Sequence, residues 1–199
     1  MRIHGDEQSG NCYKVRLLAD LLDLPYEWVP VNILEGETRR PEFLARNPVG
    51  QIPLLELDDG RHLSESNAIL HYLAADTPYW PDDRFTRAKV LQWQFFEQYS
   101  HEPYIAVARF IQHYLGLPED RREEYASKQA GGYRALDVME GHLADHDWFA
   151  GERCSVADIS LFAYTHVAHQ GGFDLSGYPA IRDWIGRVQA LPGFRPMAA

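Results

Sequence analysis

Residues 47–74, NPVGQIPLLELDDGRHLSESNAILHYLA, leave a chain little choice of local structure. Val49 to Pro53 reads as a turn entering a strand whose apolar residues are Ile52, Leu54, Leu55 and Leu57. Asp58-Asp59-Gly60 is a hairpin turn signal, and His62 and Leu63 form a short return strand. Ser64-Glu65-Ser66-Asn67 then opens a helix on which Ile69, Leu70, Leu73 and Ala74 keep a helical period. Pro53 stands just before a strand interior, where proline removes a ladder hydrogen bond. A cis Ile52–Pro53 bond turns the chain sharply there and leaves backbone groups of Gln51 and Ile52 facing outward; a trans proline on an edge strand is the alternative. The free N–H groups and dipole of the helix start suit an anion. Ser66 fits there as an N-cap or as an anion ligand, and Glu65 beside it adds a carboxylate for an ammonium. Together they suit a zwitterion.

The run NPVGQIPLLE followed by LSESNAILHYLA resembles the second half of the thioredoxin-like domain of cytosolic glutathione transferases. That resemblance implies a cis Pro53, with the preceding residue pairing its backbone with the cysteinyl part of glutathione, and a γ-glutamyl end held by Glu65 and Ser66. It implies glutathione as a co-substrate, with no other cofactor, and a homodimer. There are departures. Thr38, Arg39 and Arg40 stand where many serine-type members carry a histidine, and either arginine could contact the glycyl carboxylate or serve as surface charge. Asn67 follows the Glu-Ser pair where some members have arginine.

A net charge of −10 argues against nucleic acid, whose phosphates need a basic footprint. No apolar run is long enough to span a membrane, and the first residues, MRIHGDEQSGNCYK, lack the apolar core of a signal peptide. Cys12 and Cys154 are far apart, so no disulfide framework is indicated and a reducing cytoplasm is the expected location. His142 and His146 are spaced for one helix face, but no cysteine-rich or acidic partner motif accompanies them, which argues against a metal site.

The remaining pattern divides the chain. Before residue 76 the order is strand, helix, strand, turn, strand, strand, helix, which suits a small α/β layer structure. The first helix places Val15, Leu18 and Leu22 inward and Lys14, Arg16 and Asp20 outward. Residues 77–84 read as a linker rich in proline and aspartate, and 85–199 as all-helical. Within that half, Pro103 could break a long helix and Gly131-Gly132 could soften another, while Ser155 to Asp158 forms a capping box. The expected fold is an α/β thioredoxin-like N-terminal domain (1–76) followed by an all-α C-terminal domain, as the resemblance also implies.

The resemblance implies that the chain turns a thiol into a thiolate. A free thiol titrates near ~8.5, so only about 3% is ionised at neutral pH. Lowering that value by about two units takes roughly 2.7 kcal/mol, within reach of a hydrogen-bond donor at a helix N-terminus. Ser9-Gly10-Asn11-Cys12 stands where the family keeps its catalytic group. Three candidates stay open. Ser9 matches the hydroxyl of serine-type members, Asn11 matches an amide donor of members with Thr-Pro-Asn, and Cys12 could form a mixed disulfide as in cysteine-type members. Each has an ordinary structural use as well: N-cap, turn residue and small core side chain. A small hydrophobic electrophile or a peroxide is the expected second substrate, set against the aromatic helix that carries Tyr99, His101, Tyr104, Ala108, Arg109, Phe110 and His113. Tyr104, Ala108 and His113 are the expected pocket residues. Thiol-disulfide reduction through Cys12 and a non-catalytic binding module are the alternative functions.

Overall fold

The computed structural model describes residues 1–198. It divides into two compact units, Met1–Trp80 together with the tail from Leu191, and Pro81–Ala190.

In the first unit, β1 (Arg2–Gly5), α1 (Gly10–Leu21), β2 (Glu27–Pro30), α2 (Pro41–Leu44), β3 (Leu54–Glu56), β4 (His62–Leu63) and α3 (Ser66–Ala74) follow the expected order. The sheet order is β2-β1-β3-β4, with β1 parallel to β2 and both other pairs antiparallel. Strand alternation assigns the faces. Gly5 meets α1, because a Cβ on it would lie 2.7 Å from the Cys12 sulfur and 2.9 Å from the Trp28 ring. Leu54 points the other way and packs with Val31, Phe43 and Ile52. On that same face Glu56 accepts from Arg2 and His4, and Arg46 lies 3.7 Å from it. Burial lowers the His4 imidazole from its usual value, against the opposite pull of its hydrogen bond to Glu56.

Two expectations are corrected here. Lys14, read as outward, is fully buried, whereas Arg16 is half-buried, its guanidinium lying over the Tyr13 and Trp28 rings. The tail from Leu191, read as the end of the helical half, belongs with the first unit, where the Tyr13 hydroxyl and the Arg16 guanidinium donate to the carbonyls of Arg195 and Pro196.

The second unit holds α4 (Arg84–Phe96), α5 (Glu102–Arg109), α6 (Arg122–Leu143), α7 (Val156–Thr165) and α8 (Pro179–Gln189). Pro103 does not break the chain's course. The turn before it, Glu97–His101, widens to a π-helix, which makes room for a ring that has no N–H to give. Nor do Gly131 and Gly132 soften α6, which runs through both. They are small because the rings of Tyr104 and Phe173 lie where their Cβ atoms would be. The capping box forms as expected. Asp158 accepts from the Ser155 N–H and hydroxyl, and also from the Phe149 N–H and the Trp184 indole. No helix among the described residues is long and apolar enough to cross a membrane.

Candidate active site

The loop from Gly5 to Ser9 is tightened by the Asp6 side chain, which accepts from the Gln8 N–H at 2.8 Å, and by its carbonyl, which accepts from Ser9. Ser9 is thereby delivered as the N-cap of α1, its hydroxyl oxygen 3.4 Å from the Cys12 N–H. A hydroxyl that accepts at the cap still has its own proton to donate, and the Cys12 sulfur beside it is one acceptor within its reach. Cys12 lies one turn further and fully inside, between helix and sheet. Burial pushes its thiol up to about 12, against a smaller downward pull from the Ser9 hydrogen bond. A thiol so placed is held in its protonated form and shielded from a second thiol, which argues against Cys12 as the nucleophile.

Asn11 joins two helix starts. Its Oδ1 accepts from the Lys14 ammonium at 2.7 Å and from the Ser66 hydroxyl at 3.1 Å. Ser66 is therefore not the N-cap the sequence suggested. It is the first residue of α3, largely buried, and turned toward α1. The N-cap position belongs to Glu65, with φ at +67° and ψ at 111°. A non-glycine residue held there costs on the order of 1–3 kcal/mol, a cost that clusters at ligand sites. Its carboxylate is exposed and makes no hydrogen bond or ion pair among the described residues.

Pro53 follows a cis bond from Ile52, as expected. Gln51 is exposed and Ile52 half-buried, while Pro53 is buried. The organiser of this loop is a residue the sequence reading passed over. Asn47, 2% exposed, donates from Nδ2 to the Gln51 carbonyl at 2.8 Å and accepts from the Val49 N–H at 3.2 Å. The signal was present in Asn-Pro, a turn-initiating pair whose side chain commonly bonds the backbone two residues on. Arg39 donates to the Val49 carbonyl and Arg40 pairs with Glu37, so both arginines have structural partners. Gly50 at φ +67° is required, because a Cβ would lie 2.7 Å from the Arg39 guanidinium and 3.0 Å from the Thr38 carbonyl.

The expected pocket residues of the helical unit are not brought to one surface. Tyr104 covers Gly131, Ala108 is fully buried, and His113 is exposed beside Tyr114. Arg109 and His101 are buried, hydrogen-bonded to Gln170 and Thr165. A cavity of about 440 Å³ in this unit is lined instead by Gln98, Glu102, Pro103, Ala106, Val107, Phe110, Arg121 and Glu124. Sequence spacing could have found it, since Glu102, Ala106 and Phe110 lie a helical turn apart.

The model of the family described as glutathione S-transferase, N-terminal domain, matches residues 8–76, and that of its C-terminal domain matches residues 93–192. The disulfide-bond oxidoreductase YfcG of Escherichia coli is 30% identical over 92% of this chain and 87% of its own length. A crystal structure of a glutathione S-transferase from Pseudomonas fluorescens Pf-5 is 58% identical, with a TM-score of 0.97 over 100% of this chain and 98% of that one. A maleylacetoacetate isomerase from Methylobacterium extorquens AM1, solved with bound malonate and GSH, is 27% identical, with a TM-score of 0.81 over 97% and 94% of the two chains. Both halves of the chain, with their helix starts, cis-proline loop and capping box, thus belong to the glutathione S-transferase family.

Proposed function

We propose that the protein is a cytoplasmic glutathione transferase that ionises the glutathione thiol and directs it at an electrophilic carbon or a peroxide. Glutathione docks with its cysteinyl backbone along Gln51 and Ile52 beside Pro53, its γ-glutamyl ammonium on Glu65, and its γ-glutamyl carboxylate at the backbone N–H of Ser66 and the α3 N-terminus. The Ser9 hydroxyl donates to the sulfur, with the Asn11 amide beside it and the α1 N-terminus favouring the anion. The thiolate then forms a bond to the electrophilic carbon while the leaving group departs with the bonding pair or, in an addition, while the displaced π pair moves onto the electrophile's acceptor atom and takes a proton from solvent. With a peroxide the sulfur takes one oxygen as the O–O bond breaks, and the released oxygen anion takes a proton from solvent. The helical unit takes the small hydrophobic second substrate.

The observation that carries this reading is Glu65: a strained, exposed and unpaired carboxylate at a helix start, next to a buried serine. The GSH in the solved maleylacetoacetate isomerase adds support for the ligand. Replacing Glu65 with alanine is expected to weaken glutathione binding by about a hundredfold, the loss of one charge-assisted contact of about 2.7 kcal/mol. Calorimetric titration checks this, and unchanged affinity refutes the assigned site.

The same reading includes a homodimer. Leu91 and Phe95 on α4 and Tyr99 in the π-helical turn after it are 37%, 61% and 80% exposed, apolar groups suited to a second copy of the chain.

A further inference from the structure

Lys14 is a charged residue set wholly inside the protein. Its ammonium lies 2.7 Å from Asn11 Oδ1. With Lys14 as the donor of this contact, the Asn11 atom that faces it is the oxygen. The Ser66 hydroxyl is 3.1 Å from the same atom, and an amide oxygen only accepts, so Ser66 gives its one proton there. One orientation of the amide serves both contacts. The oxygen is turned toward Lys14 and Ser66, which puts the NH2 on the opposite edge of the planar amide.

We propose that Lys14 is a positioning residue for thiol activation: it holds the Asn11 amide so that an N–H donor, rather than the oxygen, meets the glutathione sulfur. This rests on the proposed reading that glutathione docks here with its thiol at the start of α1. The orientation decides the sign of the effect. An amide N–H toward the sulfur favours the thiolate, whereas an amide oxygen there favours the thiol. Ser66 gives the arrangement a second use. It ties the amide to the start of α3, so the end of the site that takes the γ-glutamyl carboxylate and the end that takes the sulfur share one acceptor atom.

The test uses Lys14→Met, Lys14→Arg and Asn11→Asp, with two readouts on each folded protein: calorimetric affinity for glutathione, and the pH midpoint of thiolate ultraviolet absorbance in the complex. For Lys14→Met, affinity is expected within about threefold of wild type, with a midpoint raised by about one pH unit, or tenfold less thiolate below it. Lys14→Arg keeps a donor and is expected to recover much of the shift. Asn11→Asp keeps an acceptor for both Lys14 and Ser66 but has no N–H, and is expected to raise the midpoint at least as far. A Lys14→Met protein of lower melting temperature but unaltered midpoint overturns the proposal and leaves Lys14 as packing. Should Lys14→Met not fold, an unaltered midpoint in Asn11→Asp overturns it. A wild-type protein that does not bind glutathione, or binds it with no lowered midpoint, refutes the underlying reading instead.

Discussion

At the level of single residues the account turns on which groups can reach a thiol. Ser9 carries its hydroxyl at the start of α1, whereas Cys12 is sealed beneath Gly5 with its thiol pushed up to about 12. Ser9→Ala is therefore expected to lower kcat/KM on the order of a hundredfold, as removal of one donor to a developing anion does. Cys12→Ser is expected to leave glutathione-dependent turnover within about threefold and to reduce stability by about 1–2 kcal/mol, since a hydroxyl then sits in an apolar slot. Steady-state kinetics decide both. A Cys12→Ser protein that binds glutathione but has lost all turnover contradicts the assignment. Much of this site was legible in the sequence because its signals are local: Pro53 before a strand, Glu65-Ser66 at a helix start, Ser9 ahead of an apolar helix. Lys14 was not legible. Its place on the helix wheel looked polar, and its burial belongs to the packed unit and not to the local pattern of α1.

Among elements, the capping box of α7 shows how far one carboxylate reaches. Asp158 serves four donors and so fastens the start of α7 to Phe149 and to Trp184 on α8. Asp158→Ala strands those buried donors and is expected to cost on the order of 3 kcal/mol in chemical denaturation. Burial raises the Asp158 carboxyl to about 6. Its contribution to stability is thus greatest at low pH and is lost as pH rises through about 6. His166, stacked on Phe162, behaves oppositely. Burial first, then the nearby Arg109 and His169, hold it down at about 4 against an ordinary 6.5, with the Phe162 carbonyl pulling the other way. Its stabilising effect is complete above pH 6.5 and is lost as pH falls to about 4, a span worth about 3 kcal/mol. Relative to wild type, His166→Gln is expected to be less acid-sensitive between those pH values and Asp158→Asn more so, as read from melting temperature against pH. Parallel curves for all three proteins contradict the account. The capping box could be read from four consecutive residues. The glycines of α6 could not, because the rings of Tyr104 and Phe173 that require them come from other parts of the chain.

For the whole molecule, the division into an α/β unit and a helical unit was visible in the sequence as the end of strand signals before residue 76. The return of the tail to the first unit was not visible, because Arg195 and Pro196 join α1 through backbone carbonyls that any sequence offers. The exposed apolar groups of Leu91, Phe95 and Tyr99 predict a homodimer at micromolar concentration, converted to monomer by Phe95→Glu with Tyr99→Glu; sedimentation showing only monomer for the wild type contradicts it. The central claim is that one site both docks and ionises glutathione. Titrating glutathione into the protein by calorimetry, with a thiolate difference spectrum at neutral pH, tests both halves together. The account predicts saturable binding accompanied by thiolate absorbance. No binding at millimolar glutathione, or binding with the thiol still protonated, contradicts it.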